Sequence, residues 1–256
     1  MSSSVQTSSN VAAARARRLA DRYASGEWRS RVFADMVLEE LDAWGAAPRV
    51  VDVGCGGGFD GSLALQEEIA ARAGCLIGVE PDPDTAVAAC LSEVHRSILE
   101  DAPIQTASVN VAYAVMVAEH LSHPDRFMAK VADLLVDGGV FLAFTVDVRH
   151  WSAWASLAFD KLRVKDGYLN RLHGKRGEER YSNFPVHYRL NSPDAADRHA
   201  SKWFDVQTMN LFRVGSEDYN LPALVRPMNR LLDRGLMMLG APGSNLIIRA
   251  VRARRG

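Results

Sequence analysis

The sequence predicts an α/β fold built on a doubly wound, mostly parallel sheet, and three features predict it. Short apolar runs rich in β-branched residues alternate with helical patterns from residue 49 to 147, as βαβ units do. The first run, Val50-Val51-Asp52-Val53, leads directly into glycines at 54, 56 and 58. Such a strand–loop–helix lets the backbone turn sharply and lets a ligand approach it without meeting a Cβ. A second run, Cys75-Leu76-Ile77-Gly78-Val79, ends on Glu80. That acid falls about 20 residues beyond the glycines, where doubly wound nucleotide folds place the carboxylate that holds a ribose.

Composition narrows the class. The 256 residues suit one α/β domain with additions, and 48% hydrophobic with 24% charged residues is ordinary for a globule with a sizeable core. A net charge of −1 gives no global pull toward nucleic acid or anionic membrane. Cys55, Cys75 and Cys90 are odd in number and lack metal-ligand spacing, so reduced thiols and a cytoplasmic location are expected, with no metal site. No apolar run reaches the length of a membrane span, and the Ser-rich start lacks the apolar core of a secretory signal.

In chain order, residues 1–10 read as disordered, and 11–48 as a helical cover that ends at Gly45 and Pro48. Its Tyr23 and Trp28 read as packing aromatics before site residues. Residues 49–147 form the ligand-binding core. Within it a helix is expected from Phe59 to Ala73, another over Asp84–Glu93, a fourth strand over Ser108–Met116 and a helix over Asp125–Val136. A turn at Asp137-Gly138-Gly139 should then lead into a strand at Val140–Val146. Residues 148–200 are polar, aromatic and histidine-bearing. They read as an insertion over the carboxyl ends of the strands, able to wall an acceptor pocket. The basic stretch Lys161–Arg180 suggests an anionic acceptor or only a solvated face. Residues 201–256 supply two strands, Trp203–Phe212 and Ser244–Val251. Between them a helical stripe (Leu221, Leu224, Val225, Met228, Leu231, Leu232, Leu236) is broken near Pro227 and Gly235. A core-packing or dimer helix is its default reading. A peripheral membrane helix, flanked by Arg226, Arg230 and Arg234, is the sharper one.

The glycine loop is not a dinucleotide fingerprint, because Phe59 stands where G-x-G-x-x-G needs its third glycine. The string Val51-Asp52-Val53-Gly54-Cys55-Gly56-Gly57-Gly58 instead resembles motif I of the class I S-adenosylmethionine-dependent methyltransferases. Glu119-His120-Leu121 followed by Pro124, and the Leu134-Leu135-x-x-Gly138-Gly139 segment, resemble the same family in the same order. The resemblance covers residues 49–147. It implies a Rossmann-like seven-stranded sheet with an antiparallel last strand, N-terminal helices and an insertion between strands five and six. It implies S-adenosyl-L-methionine as cofactor and S-adenosyl-L-homocysteine as product. It places the cofactor on Asp52, Gly54, Cys55, Gly56 and Gly58, the ribose on Glu80 beside Pro81, and the adenine near Leu99 and Glu100, with Met116 at the end of strand four. The sequence departs from the family pattern at Ile98 and at Val109-Asn110.

A sulfonium methyl is already electrophilic, so transfer is an in-line displacement that depends chiefly on positioning. An oxygen or carbon acceptor also needs a base near neutrality. His120, after strand four, is the candidate, Glu119 its orienting carboxylate and His150 the reserve. An amino-methylating motif for nucleic acid is missing after strand four, where Ala114-Val115-Met116-Val117 stands. The expectation is therefore an O-methyltransferase of a small molecule, monomer or homodimer. N- or C-methylation, a catalytically silent partner subunit and a nicotinamide-dependent oxidoreductase are its rivals.

Overall fold

The computed structural model describes residues 14–15, 17–45, 47–162 and 185–253. Seven strands make one sheet in the order β3-β2-β1-β4-β5-β7-β6: β1 (Arg49–Val53), β2 (Cys75–Val79), β3 (Glu93–His95), β4 (Val109–Val115), β5 (Leu135–Val146), β6 (Phe204–Leu211) and β7 (Asn245–Arg252). The first five run parallel, with Val51 between Ile77 and Ala112. β7 is antiparallel to β5 on one side and β6 on the other. The expected doubly wound sheet with an antiparallel last strand is thus observed.

Both faces are covered, which is why the parallel strands read as continuous apolar runs. Residues 17–24 are helical and, with α1 (Arg29–Trp44) and α2 (Leu63–Arg72), close one face. Val32, Phe33, Met36, Val37 and Leu41 recur at helical spacing and pack there with Val50, Leu142 and Phe144. Phe33 stacks on Phe144 with centroids 4.4 Å apart, a burial that contributes roughly 1.5–3 kcal/mol. α3 (Pro124–Leu134) and α5 (Pro193–Ala200) bring Phe127, Met128, Val131, Ala196 and Ala200 onto the other face, against Val51, Val53 and Phe141. Tyr23 is buried and accepts from Asn245 at 2.7 Å, whereas Trp28 is exposed.

Three expectations need correction. Residues 84–93 are not helical. The Asp82 carboxylate accepts from the Asp84 amide and the Thr85 hydroxyl, while the Arg96 guanidinium donates to the Asp82 and Thr85 carbonyls. Local side-chain bonds of this kind compete with helix propagation. The chain instead adds Glu93–His95 as the edge strand β3. Next, the helix after the glycines starts only at Leu63, capped by Ser62, because Phe59 turns into the core against Tyr113 and Phe144. Last, Asp137-Gly138-Gly139 is not a turn before a strand but part of β5. Gly138 takes φ 78° there and the register with β4 shifts, as at a β-bulge.

The C-terminal stripe also folds differently. α6 (Arg226–Met238) accepts Pro227 in its first turn and carries Gly235 inside it. Its buried residues are Asn229 and Asp233, so the expected core-packing role is overturned. α4 (Trp151–Lys161) opens the segment after β5. The Tyr168, His173 and Tyr181 positions of the expected insertion, and most of the basic stretch, lie outside the described residues.

Candidate functional site

Chain order reverses between β1 and β4: after β1 the chain winds outward to β2 and β3, then returns to pair β4 on the other side of β1. The carboxyl ends of these two strands therefore splay into a crevice, the place where open α/β sheets bind ligands. The glycine loop lines one wall. Amides of Gly54 and Cys55 donate to the Val79 carbonyl at 2.7 and 3.2 Å, which ties the loop to β2. Gly54, Gly56 and Gly58 all have positive φ. A Cβ on Gly54 would sit 2.5 Å from Val117 of the facing wall, and one on Gly58 only 2.8 Å from the Ser62 backbone. At Gly56, by contrast, a Cβ would meet nothing within 4 Å. The loop is tightly packed at both ends and open at its middle.

Glu80 stands beside that opening. One carboxylate oxygen accepts from the Gly56 amide at 3.1 Å and the other from the Asp82 amide at 3.1 Å. A carboxylate keeps further acceptor positions beyond such bonds, so two hydroxyls could still be received. Pro81 follows it, partly buried. Asp52 is buried behind the loop, where Gln66 donates to it at 2.9 Å and to the Tyr113 hydroxyl at 3.1 Å. Burial pushes the Asp52 carboxyl up to about 7, with Glu80 adding to the rise. The Cys55 side chain packs against Gly78, and burial raises its thiol to about 12. It is an inert thiol. Leu99 and Glu100 lie on a short 3-10 turn, Leu99 buried and Ile98 beside it exposed. Met116, just past β4, has φ 55°, a left-handed conformation for a residue with a Cβ, of the sort that collects at ligand sites.

The opposite wall carries the other candidates. Glu119 and His120 lie on a 3-10 turn, Ala118–His120, just past β4. Glu119 is buried and accepts from the Thr145 hydroxyl at 2.7 Å, and Thr145 in turn receives the Asn191 amide at 2.7 Å. Desolvation raises the Glu119 carboxyl above its usual range. Its carbonyl takes the amides of His187 and Tyr188, and Nδ1 of His120 lies 3.2 Å from the Pro185 carbonyl. This turn thus clasps the returning end of the 148–200 segment. His150 is buried against Trp151 and Phe212, its Nδ1 2.8 Å from the Ser152 hydroxyl. Burial lowers its pKa and favours neutral imidazole.

Sequence reasoning missed several of these groups. Arg29, at the start of α1, makes a bidentate pair with Asp60 at 3.0 Å, and Ser30 binds the same carboxylate. This anchors α1 to the residues just after the glycine loop. Gln66, Tyr113, Thr145 and Asn191 are the other omissions. Tyr113 and Thr145 are polar residues inside apolar strand patterns, and that conflict was the available signal for them. Among the described residues no cluster of acids, histidines and cysteines could hold a metal.

Residues 25–194 match the model of a family described as a methyltransferase domain. No curated protein sequence matches the chain. Solved structures share the fold at low identity. One is the YcgJ protein of Bacillus subtilis, 16% identical at a TM-score of 0.52, covering 86% of this chain and 98% of that one. A second is the geranyl diphosphate C-methyltransferase of Streptomyces coelicolor, 14% identical at 0.55, covering 87% of this chain and 81% of that one. Its structure contains S-adenosyl-L-homocysteine. The third, phosphoethanolamine N-methyltransferase 2 of Haemonchus contortus, is 12% identical at 0.51, and the match covers 92% of this chain but 60% of that one.

Proposed function

We propose that this chain, which belongs to the methyltransferase-domain family matched by its residues 25–194, binds S-adenosyl-L-methionine at Gly54–Gly58 and methylates a small molecule, at oxygen. One observation carries the reading: the loop closes at Gly54 and Gly58 but is open at Gly56, with the Glu80 carboxylate against it. The residues suit the cofactor. The open backbone would take its amino-acid end, Glu80 beside Pro81 the ribose diol, and Leu99 with Glu100 the adenine edge. Asp52 and Cys55 support the loop from behind, and Met116 shapes the crevice at the end of β4. The bound cofactor supplies an electrophilic methyl on a sulfonium.

The chain's own groups then position the acceptor and take its proton. Nδ1 of His120 facing the Pro185 carbonyl favours the tautomer with its proton there, which leaves Nε2 as the basic nitrogen. Glu119, its carboxyl raised by burial and held by Thr145, is a positioning residue for that turn. His150 is the reserve base, though its burial beside Trp151 places it further from solvent.

Calorimetry with S-adenosyl-L-methionine tests the reading. Wild type is expected to bind, Gly56→Val to lose binding, and His120→Ala to bind normally while turnover falls about 10²- to 10⁴-fold. No heat from the wild type at millimolar cofactor overturns it. Mass spectrometry with a labelled methyl group then identifies the methylated atom, and a nitrogen or carbon product replaces the oxygen assignment.

A further inference from the structure

α6 is an amphipathic helix turned inside out. Its polar residues face the protein: Asn229 donates to Asp218 at 2.8 Å, and Asp233 accepts from the Gly215 amide at 2.7 Å and from the Trp151 indole at 3.4 Å. Its apolar residues face solvent. Met228, Leu231, Leu232 and Met238 lie on one side, where Met238 is 87% exposed, and Leu224 just before the helix is 91% exposed. Buried polar groups hold the helix down, and the hydrophobic stripe is left without cover by any described residue.

A second helix adds to this exposed apolar surface. α4 buries Ala153 on one side and presents Trp154, 64% exposed, on the other, with exposed Leu162 one turn past Ala158. The Trp151–Asp233 bond sets α4 beside α6. α4 begins just past the carboxyl end of β5, and α6 leads into β7 at Asn245, which pairs with Val146 of β5. Both helices therefore crown the rim of the sheet that carries the candidate site.

The charge carried by α6 itself is mainly positive. Arg226, Arg230 and Arg234 recur every four residues along one flank of α6, while its only acid, Asp233, is buried. Arg230 pairs with Asp218 at 2.6 Å, so Arg226 and Arg234 are the helix's remaining cations. The apolar surface consists of protruding helix ridges, which sink into a fluid interface more readily than they match a preformed groove. Exposed apolar ridges, an interfacial tryptophan and a row of arginines are the combination that an anionic lipid surface recognises.

We propose that α4 and α6 dock this chain on an anionic membrane surface, with the candidate site at the contact. On the methyltransferase reading above, the acceptor would then be an amphiphile presented by that membrane. Co-flotation with vesicles tests the docking without cofactor. Wild type is expected to float with vesicles containing a third anionic lipid and about tenfold less with purely zwitterionic ones, and high salt should weaken it. Leu231→Ser/Leu232→Ser and Arg234→Glu should each cut flotation about tenfold while thermal melting stays unchanged, as expected for exposed positions. Flotation of neither vesicle type, or flotation equal in the variants, overturns the proposal. So does a wild-type dimer on light scattering that Leu231→Ser/Leu232→Ser renders monomeric, since a second copy would then cover the face. Calorimetry with S-adenosyl-L-methionine on the same samples keeps the two readings apart: cofactor binding without flotation sinks only the docking, and flotation without cofactor binding sinks only the methyltransferase assignment.

Discussion

The two sides of the crevice obey opposite burial rules. On the β1–β2 side, the strands and helices turn most of their apolar residues inward, and the carboxylates buried at the loop are paired. Asp52, for example, has Gln66, and Glu80 has two backbone amides. On the β5–β7 side, α6 buries an asparagine and an aspartate and shows leucine and methionine to solvent. Both arrangements produce the same helical periodicity in sequence. Periodicity thus identifies a helix and its stripe, but the direction of the stripe depends on what the rest of the fold offers it. Here it offers α6 a peptide amide at Gly215, the Asp218 carboxylate and the Trp151 indole, which only polar side chains can satisfy.

The largest effect should come from the tightly packed side. Gly58→Ala adds a Cβ 2.8 Å from the Ser62 backbone at φ 140°. Backbone cannot yield as a side chain can, so about 4 kcal/mol of stability should be lost, read as a lowered urea midpoint. Two residues away, Gly56→Ala meets nothing within 4 Å. It should cost only the left-handed strain of about 1–2 kcal/mol, yet abolish cofactor binding by filling the opening. Equal stability losses in the two variants would erase the distinction between packed ends and open middle.

Asp52 gives the next effect, through pH. Its folded carboxyl is raised to about 7 from an ordinary 3.8, so the folded protein holds the proton more tightly than the unfolded chain. The stabilisation this gives is complete below pH 4 and is lost as pH rises toward 7. Asp52→Asn keeps the shape without the titration. Its advantage over wild type should open across pH 4–7, reach a few kcal/mol and stay flat above. Thermal melts without ligand at pH 4.5 and pH 8 check this, and a gap independent of pH would show that Asp52 titrates normally.

Much of this was legible in the sequence, for a physical reason. The strands, the glycine loop and Glu80 are local features whose meaning lies in spacing along the chain, and the structure places them together at one crevice. The helix expected over Asp84–Glu93 failed because Asp82 and Arg96, both outside it, hold the backbone in a turn. Arg29 and Asn191 were invisible for a related reason. Each reaches its partner, Asp60 or Thr145, across a long sequence separation that no periodic pattern records. The motif string also settles nothing about the acceptor, because the wall facing the loop is built from Glu119, Thr145 and Asn191, gathered from three separate segments.

The smallest effect gives the most direct test of the comparison, because it asks two residues of one helix to behave against their kind. In an ordinary amphipathic helix, losing a leucine costs more than losing an aspartate. In α6 the order should reverse. Asp233→Ala strands the Gly215 amide and the Trp151 indole in a buried place, which costs roughly 2 kcal/mol. Leu231→Ser removes a side chain that is 67% exposed and should change stability by less than about 0.5 kcal/mol. Paired thermal melts decide it. A Leu231→Ser variant that loses more than Asp233→Ala would mean that the stripe is covered in the protein as it exists in solution.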